Sequence, residues 1–338
     1  IQAAMAHNAD RLRRERSVHY LAFAENHWSA ALPFVEPGSY RPLENFVLRG
    51  RGTRDDAQSM ATAFVREMKR TAGRYETVII SAEQLQTLDL TAAERLRAFV
   101  SRFADAIRIV AYVRHPAERL SSLVSQWVGG GHGSLASFRS EDSVTPALET
   151  YAQVFGRDNL IVRRFGRQYF ANGDLAADFL DALGQPPLAG VVAPVLNESL
   201  TRPAVLLADL LFASTPLMSG RRGSDAYLRR IPGEKFRATR AMAEEAMRVH
   251  APGLDYLAAK FGVRFDPLDL TELPERISRE FPEAALAAIA QLLNEQSRTI
   301  GDLSLERNRP VHHLWGRALS FVGRRRPAAK VPPAARHS

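Results

Sequence analysis

The chain has 338 residues, of which 46% are hydrophobic and 24% charged, and it contains no cysteine. This length allows one large domain or two smaller ones, and the apolar fraction excludes an intrinsically disordered chain. The lack of cysteine excludes disulfide bonds, a thiolate nucleophile and cysteine-ligated metals. We expect neither a membrane span, which needs about 18 consecutive apolar residues, nor a secretory signal, and therefore a cytoplasmic location.

The net charge of +8 is concentrated near the carboxyl terminus. Residues 317–338 contain no acidic side chain and six basic ones, Arg317, Arg324, Arg325, Arg326, Lys330 and Arg336. Subtracting these six leaves the rest of the chain at only +2, which argues against binding of nucleic acid by the body of the protein. We expect residues 317–338 to form a disordered basic tail; its alternative role is weak attraction to anionic membranes, glycans or nucleic acid.

Hydrophobic periodicity predicts alternating helices and strands along the first half of the chain. Helices are predicted over residues 1–16, 55–71, 91–106, 116–128, 145–155 and 173–183. Strands are predicted over residues 18–24, 77–80, 107–113 and 159–163. Because these strands are apolar at nearly every position, they indicate a parallel sheet with helices on both faces. The remainder is predicted to be mostly helical, with breaks at prolines 203, 232, 252 and 267.

Local signals predict two helix starts. Thr91 followed by Glu94 reads as a capping box, which makes Thr91 the N-cap of its helix. Asn197 and Ser199 are predicted to form the entrance of a helix, with Ser199 or Thr201 as its N-cap.

Polar residues follow two of the predicted strands, at the sheet edge where ligands bind in such folds. Arg114 ends one strand, Pro116 starts the next helix, and Ser122 lies about two helical turns along it. A guanidinium with a hydroxyl suits a phosphate monoester, because the guanidinium donates two parallel charge-assisted hydrogen bonds. The alternative is an arginine that caps loop carbonyls and a serine on a helix surface.

A strand followed by Arg114-x-Pro116 and then by Ser122 resembles the 3′-phosphate-binding motif of the sulfotransferase family. Further segments resemble its bacterial branch, namely Ser81-Ala82-Glu83, Arg164-Phe165, Asn172-Gly173-Asp174-Leu175, Asp178-Phe179-Leu180, Leu183-Gly184 and Asn197-x-Ser199-Leu200. The similarity covers residues 1–262. It implies an α/β fold over residues 1–310, with a three-layer parallel sheet of the P-loop nucleoside triphosphate hydrolase type and a helical C-terminal half.

The resemblance also implies a reaction. The donor would be 3′-phosphoadenosine 5′-phosphosulfate, its 3′-phosphate bound by Arg114 and Ser122, and transfer to a hydroxyl would be direct, with no covalent enzyme intermediate and no metal. Glu83 is the candidate general base, since the family places a histidine or glutamate near the carboxyl end of a strand. The alternative is a carboxylate that caps the following loop or pairs with an arginine.

The sequence departs from the family at its start. Family members open with a strand and a loop of the kind Lys-x-Gly-Thr-Thr, which binds the 5′-phosphosulfate through backbone N–H groups and a lysine. The resemblance places Ile1 just after such a loop. We therefore expect the chain as given to be truncated at its N-terminus and catalytically impaired.

Other candidate residues carry weaker signals. The glycine-rich segment 129–133 is predicted to be a flexible surface connection or a mobile rim over the acceptor site. Arg163 and Arg164 would contact the donor or acceptor, or form ion pairs. His115 is expected to point away from the phosphate, and the pair His312-His313 lacks carboxylates at the spacing of a metal site.

The sequence therefore predicts a sulfotransferase that acts on a hydroxyl acceptor, carbohydrate or lipid-linked. Two alternatives stay open: a non-catalytic binding protein with a degenerate P-loop-type fold, and a kinase-like P-loop phosphotransferase. The kinase is disfavoured because no Walker-B-like carboxylate follows an apolar strand in the expected context.

Overall fold

The computed structural model describes residues 1–21, 25–36, 43, 46–47, 52–186, 188, 190, 199–213 and 224–307. Asn197, the pair His312-His313 and the basic tail lie outside these residues. The chain divides into two compact units, Ile1–Ala285 and Leu286–Ser338, and every site considered below lies in the first.

Helices predominate, and the single helix predicted over residues 1–16 is two helices divided at Asn8. The first six are α1 (Gln2–His7), α2 (Ala9–Arg16), α3 (Arg54–Thr71), α4 (Leu90–Val100), α5 (Pro116–Gly129) and α6 (Val144–Phe155). The others are α7 (Leu175–Ala182), α8 (Arg202–Ala213), α9 (Ser224–Leu228), α10 (Arg240–Phe261) and α11 (Glu283–Arg307). Short 3₁₀ helices include Glu25–Phe34, Glu83–Thr87 and Arg157–Asn159. In the described part of the chain, no helix combines the length and hydrophobicity that a membrane crossing requires.

The strands form two parallel pairs. Strand β1 (Val18–Tyr20) pairs with β2 (Thr77–Ile79), and β3 (Ile109–Val113) pairs with β4 (Leu160–Arg164). The predicted α/β class and the parallel pairing are therefore present. Within the described residues the strands hydrogen-bond only in these two pairs, so the predicted single three-layer sheet is not seen.

The strand side chains alternate between two hydrophobic clusters. Val78 of β2 and Ala111 of β3 pack against the larger cluster, which contains Phe64 of α3 and residues of α4 and α6. Ile79 of β2 and Tyr112 of β3 belong to the other cluster, with residues of α1, α2 and α7. Helices thus cover both faces of each pair, which is why the strands are apolar at nearly every position.

Helix caps differ from the prediction at α4. Asp89 is the N-cap, since its carboxylate accepts a hydrogen bond from Ala92 N at 2.8 Å, and Thr91 lies within the helix. The capping box is instead at α3, where Thr53 and Asp56 bond each other's backbone N–H groups. The alternative cap at α8 is settled in favour of Thr201, whose hydroxyl accepts from Ala204 N at 3.3 Å.

Two further boundaries differ from the prediction. Helix α4 ends at Val100 and is followed by a turn over residues 101–103, so the helix predicted to residue 106 is too long. Pro252 was expected to break a helix, yet it lies inside α10, which continues to Phe261. A proline in a helix interior removes one backbone hydrogen bond, and packing of α10 against α5 and α6 compensates for that loss.

Candidate functional site

Arg114 lies where β3 ends, as the sequence predicts, and its guanidinium is loosely held. Its Nε is 3.9 Å from Glu118 Oε2, and the guanidinium carbon is 5.6 Å from the centre of the Phe165 ring. The side chain is 40% exposed. Among the described residues it has no hydrogen bond, so its five N–H donors are available to a ligand.

The start of α5 adds donors beside Arg114. Pro116 occupies the first turn, and His115 is the N-cap residue without making a side-chain capping bond. The backbone N–H groups of Ala117 and Glu118 therefore lack the side-chain acceptor that a serine or aspartate cap would provide. Such a helix start attracts anions through its N–H groups and its dipole.

Ser122 lies on α5 with a half-buried side chain. Its neighbours have structural roles, since Ser121 Oγ accepts from Ala238 N at 3.0 Å and Ser125 Oγ accepts from Leu200 N at 3.1 Å. Ser122 makes no hydrogen bond within the described residues. Glu118 precedes it by one helical turn and approaches Arg114, so a carboxylate lies on the helix face between the two predicted phosphate ligands.

Glu83 is the first residue of the 3₁₀ helix Glu83–Thr87, four residues after the end of β2. Its side chain is exposed, and in the described part of the chain its carboxylate has no hydrogen bond or ion pair. The predicted alternatives, loop capping and an ion pair, are therefore absent there. Glu83 lies near Arg119 of α5, where its charge favours the protonated guanidinium.

Arg119 is the charged residue that sequence reasoning missed. It is half-buried, and burial is the main reason that its pKa falls below the ordinary arginine value, with the charge of Arg114 as the second. Asp142 and Glu83 act in the opposite direction. The sequence could have indicated Arg119, because a helix that begins at Pro116 places residues 116, 119 and 123 on one face.

Arg119 borders a cavity of about 30 Å³ between α5, α6 and α10, which we call the Arg119 cavity. Its polar lining is Arg114, Arg119, Asp142, Thr145 and His250. The apolar lining includes Val113, Leu123 and Leu257. The Arg119 cavity thus begins at the carboxyl end of β3, the edge where a ligand was expected.

The acid in this cavity has a structural role. Asp142 accepts hydrogen bonds from the backbone N–H groups of Val144 and Thr145, at 3.0 and 3.1 Å, and from the Thr145 hydroxyl at 2.6 Å. It therefore caps α6, although the sequence pattern placed no cap there.

His250 also borders the Arg119 cavity. Its Nε2 is 3.0 Å from Ser140 Oγ, and its Nδ1 is 3.9 Å from Asp142 Oδ1. Burial lowers the pKa of His250, and Arg119 lowers it further, while Asp142 raises it. The imidazole is therefore mainly neutral at pH 7.

The other predicted contacts are structural. Arg163 pairs with Asp178 at 3.1 Å and with Asp181 at 2.7 Å, which settles its alternatives in favour of ion pairs. Arg164 stacks 3.8 Å from the ring centre of Tyr169 and donates to the Arg264 carbonyl. These contacts hold β4 to the segments around it.

His115 is 4% exposed and meets Phe265 edge-on, with ring centres 5.5 Å apart. Burial lowers its pKa, so the imidazole is uncharged at neutral pH. It is enclosed by the protein next to Arg114 in the chain.

The glycine-rich segment, predicted as a flexible surface connection or a mobile rim, is partly buried: Gly129 ends α5, Gly131 is buried, and His132 is exposed. Gly129 is buried, and a Cβ there would lie 2.5 Å from Leu200 Cδ1. A Cβ on Gly133 would lie 2.5 Å from Trp127 Nε1. The contact with the rigid Trp127 ring favours glycine at position 133.

No family model, curated protein or solved structure matches this chain. Among the described residues there is also no group of three or more side chains arranged to hold a metal ion. The function is therefore argued from the geometry around Arg114 and from the sequence resemblance.

Proposed function

We propose that the protein is a sulfotransferase that binds 3′-phosphoadenosine 5′-phosphosulfate and transfers its sulfuryl group to a hydroxyl acceptor, carbohydrate or lipid-linked. The observation that carries the proposal is the position of Arg114. It directly follows a partly buried parallel strand, lies just before a helix with no side-chain cap, and has a guanidinium without a hydrogen bond in the described residues. These are the features that an anionic ligand requires.

The residues present fit one end of this donor. Arg114, the first N–H groups of α5 and the half-buried Ser122 hydroxyl are suited to the three oxygens of the 3′-phosphate. Glu118 opposes the fit, because its carboxylate lies 3.9 Å from Arg114 and would repel the phosphate. The sequence contains no Lys-x-Gly-Thr-Thr segment, so no residue is assigned to the 5′-phosphosulfate.

The donor supplies the sulfuryl group when it is bound. Arg114 and Ser122 would fix the orientation of the nucleotide through its 3′-phosphate. Glu83 would accept the proton of the acceptor hydroxyl, and its exposed carboxylate beyond β2 has no competing hydrogen bond in the described chain. A carboxylate that already caps a loop would be a poorer base. The lack of a competing hydrogen bond therefore supports Glu83 as the general base.

Calorimetry with 3′-phosphoadenosine 5′-phosphate tests the binding step. We expect Arg114→Ala to weaken the affinity by about 10- to 100-fold, because charge-assisted hydrogen bonds are lost. The matched control is Arg102→Ala, an exposed arginine after α4 that lies over the Phe103 ring and makes no side-chain hydrogen bond or ion pair in the described residues. Equal affinity of Arg114→Ala and the wild type would show that Arg114 is not a phosphate ligand.

Donor turnover in the presence of carbohydrate acceptors tests the catalytic step. We expect Glu83→Gln to lower the rate by about 100-fold or more while nucleotide affinity stays unchanged. Full turnover by Glu83→Gln would overturn its role as base.

A further inference from the structure

Arg119 presents an electrostatic problem that the proposed function does not address. Its guanidinium is half-buried, and the described residues give it neither a hydrogen bond nor an acid within 4.0 Å. Removing a positive charge from water is costly unless an anion or hydrogen bonds replace the solvent. Arg114 increases the cost, since the two guanidinium groups repel each other.

Asp142 is the acid with the largest electrostatic effect on Arg119, but the two form no ion pair among the described residues. Its two oxygens already accept three hydrogen bonds from the first turn of α6. Glu83 is exposed and does not line the cavity. The Arg119 cavity therefore has two arginines on its wall and one acid, which already accepts three hydrogen bonds from the start of α6.

We infer that the Arg119 cavity binds a single tetrahedral oxyanion group, a sulfate or phosphate monoester, through the guanidinium groups of Arg119 and Arg114. The small volume excludes a nucleoside. The site lies on the side of α5 that faces α6 and α10, whereas Ser122 does not border it. The anion site does not depend on the identity of the donor, so it can be confirmed or rejected independently of the sulfotransferase proposal.

The remaining polar groups define the other walls of the site. The Thr145 hydroxyl donates to Asp142, and the Nε2 of His250 is hydrogen-bonded to Ser140, so both side chains are held in place. Two arginines on the wall of one cavity can each donate bidentate, charge-assisted hydrogen bonds to an oxyanion. Binding would thereby relieve the repulsion between Arg114 and Arg119.

The test uses inorganic sulfate as the probe and thermal unfolding as the readout, with sodium chloride at equal ionic strength as the reference. We expect sulfate to raise the melting temperature of the wild type above the chloride reference, because a ligand of the folded state stabilises it. In Arg119→Met this rise should vanish, whereas the control Arg102→Met should keep it. An equal sulfate response in Arg119→Met and the wild type would overturn the proposal.

A second measurement separates a binding role from a structural one. Without sulfate, Arg119→Met should melt at or above the wild-type temperature, because a desolvated charge without a partner is removed. If Arg119 instead supported the fold, the variant would melt lower, and this outcome would contradict the inference.

Competition then identifies the source of the anion. Displacement of sulfate by 3′-phosphoadenosine 5′-phosphate would assign the Arg119 cavity to the nucleotide. Retention of sulfate beside the saturating nucleotide would assign it to a charged group on the acceptor. Failure of the nucleotide to bind, with the sulfate response intact, would reject the sulfotransferase proposal and leave the anion site standing.

Discussion

Arg119 lies near Arg114 at the start of α5, and burial together with the charge of Arg114 lowers its pKa. Glu118, between them in sequence, approaches Arg114 to 3.9 Å. The start of α5 thus combines two guanidinium groups with one carboxylate that competes with any anionic ligand for Arg114.

Removing that competitor should strengthen anion binding. Glu118→Gln keeps the size of the side chain and removes its charge, so the affinity for 3′-phosphoadenosine 5′-phosphate should rise about two- to fivefold, the range expected for a partly exposed ion pair. Calorimetry measures the change, with Glu94→Gln on the exposed side of α4 as the control. A weaker affinity in Glu118→Gln would show that Glu118 positions Arg114 and does not compete for it.

The N-cap of α4 can be tested by comparing two residues. Asp89→Ala removes the acceptor of the Ala92 N–H bond and should lower the free energy of unfolding by about 1 kcal/mol. Thr91→Ala lies within the helix at an exposed position and should change it by less than about 0.5 kcal/mol. Urea denaturation of both variants measures the change. A larger loss of unfolding free energy in Thr91→Ala than in Asp89→Ala would show that Thr91 is the N-cap, as the sequence predicted.

Alanine substitutions at the adjacent residues Pro252 and Gly253 of α10 should change the free energy of unfolding in opposite directions. A Cβ on Gly253 would overlap the Asp142 carboxylate and lie 2.5 Å from Thr145 Oγ1, so Gly253→Ala should cost about 1–3 kcal/mol by overpacking. Pro252 is exposed, and Pro252→Ala should add about 1–2 kcal/mol by restoring a helix hydrogen bond.

Unfolding in urea measures both changes in free energy. Because the two residues are adjacent, each variant serves as the control for the other. Equal stability of the two variants would contradict the close contact between α10 and the start of α6.

His19 should make stability depend on pH. Its ring is nearly buried, with Nε2 3.2 Å from Glu67 Oε1, and burial and then the charge of Arg13 lower its pKa, while Glu67 opposes them. The unfolded chain, with a histidine pKa near 6.5, therefore binds the proton more readily than the folded chain. Stability should fall as the pH drops through about 6.5 toward the pKa of the folded state.

The measurement is the urea midpoint at pH 7.5 and at pH 5.5. His19→Gln, which keeps an N–H donor for Glu67, should lose less stability over this interval than the wild type. His7→Gln, at an exposed position on α1, is the control and should behave as the wild type does. An identical pH dependence in His19→Gln would contradict the assigned role.

The sequence predicts the elements well where burial repeats along the chain. Phe64 and Met68 recur at helical spacing in α3, and the run ending at Ile79 is apolar because helices cover both faces of its pair. The strand order and the break between the two pairs were not predictable, since pairing depends on contacts between distant segments. Pro252 shows the same limit, because tertiary packing maintains a helix that local propensity would end.

The candidate site was predictable in part. Arg114 is visible from its place after an apolar strand, and Glu83 from a similar place after β2. The cavity wall was not visible, because His250 and Ser140 are 110 positions apart in the sequence and meet only in the folded chain. The burial of Gly129 was not predictable for the same reason, since its close neighbour, Leu200, is also distant in sequence.

The two strand pairs have a consequence for how the chain acquires its structure. Parallel strands cannot be joined by a tight turn, so β2 finds β1 only after α3 has been made and has folded back across them. The same holds for β4, which must wait for α5 and α6. Non-local pairing of this kind is slow, and apolar strands stay exposed meanwhile. During synthesis, the nascent chain would therefore present β1 and β3 to the solvent, or to a chaperone, before their partners emerge.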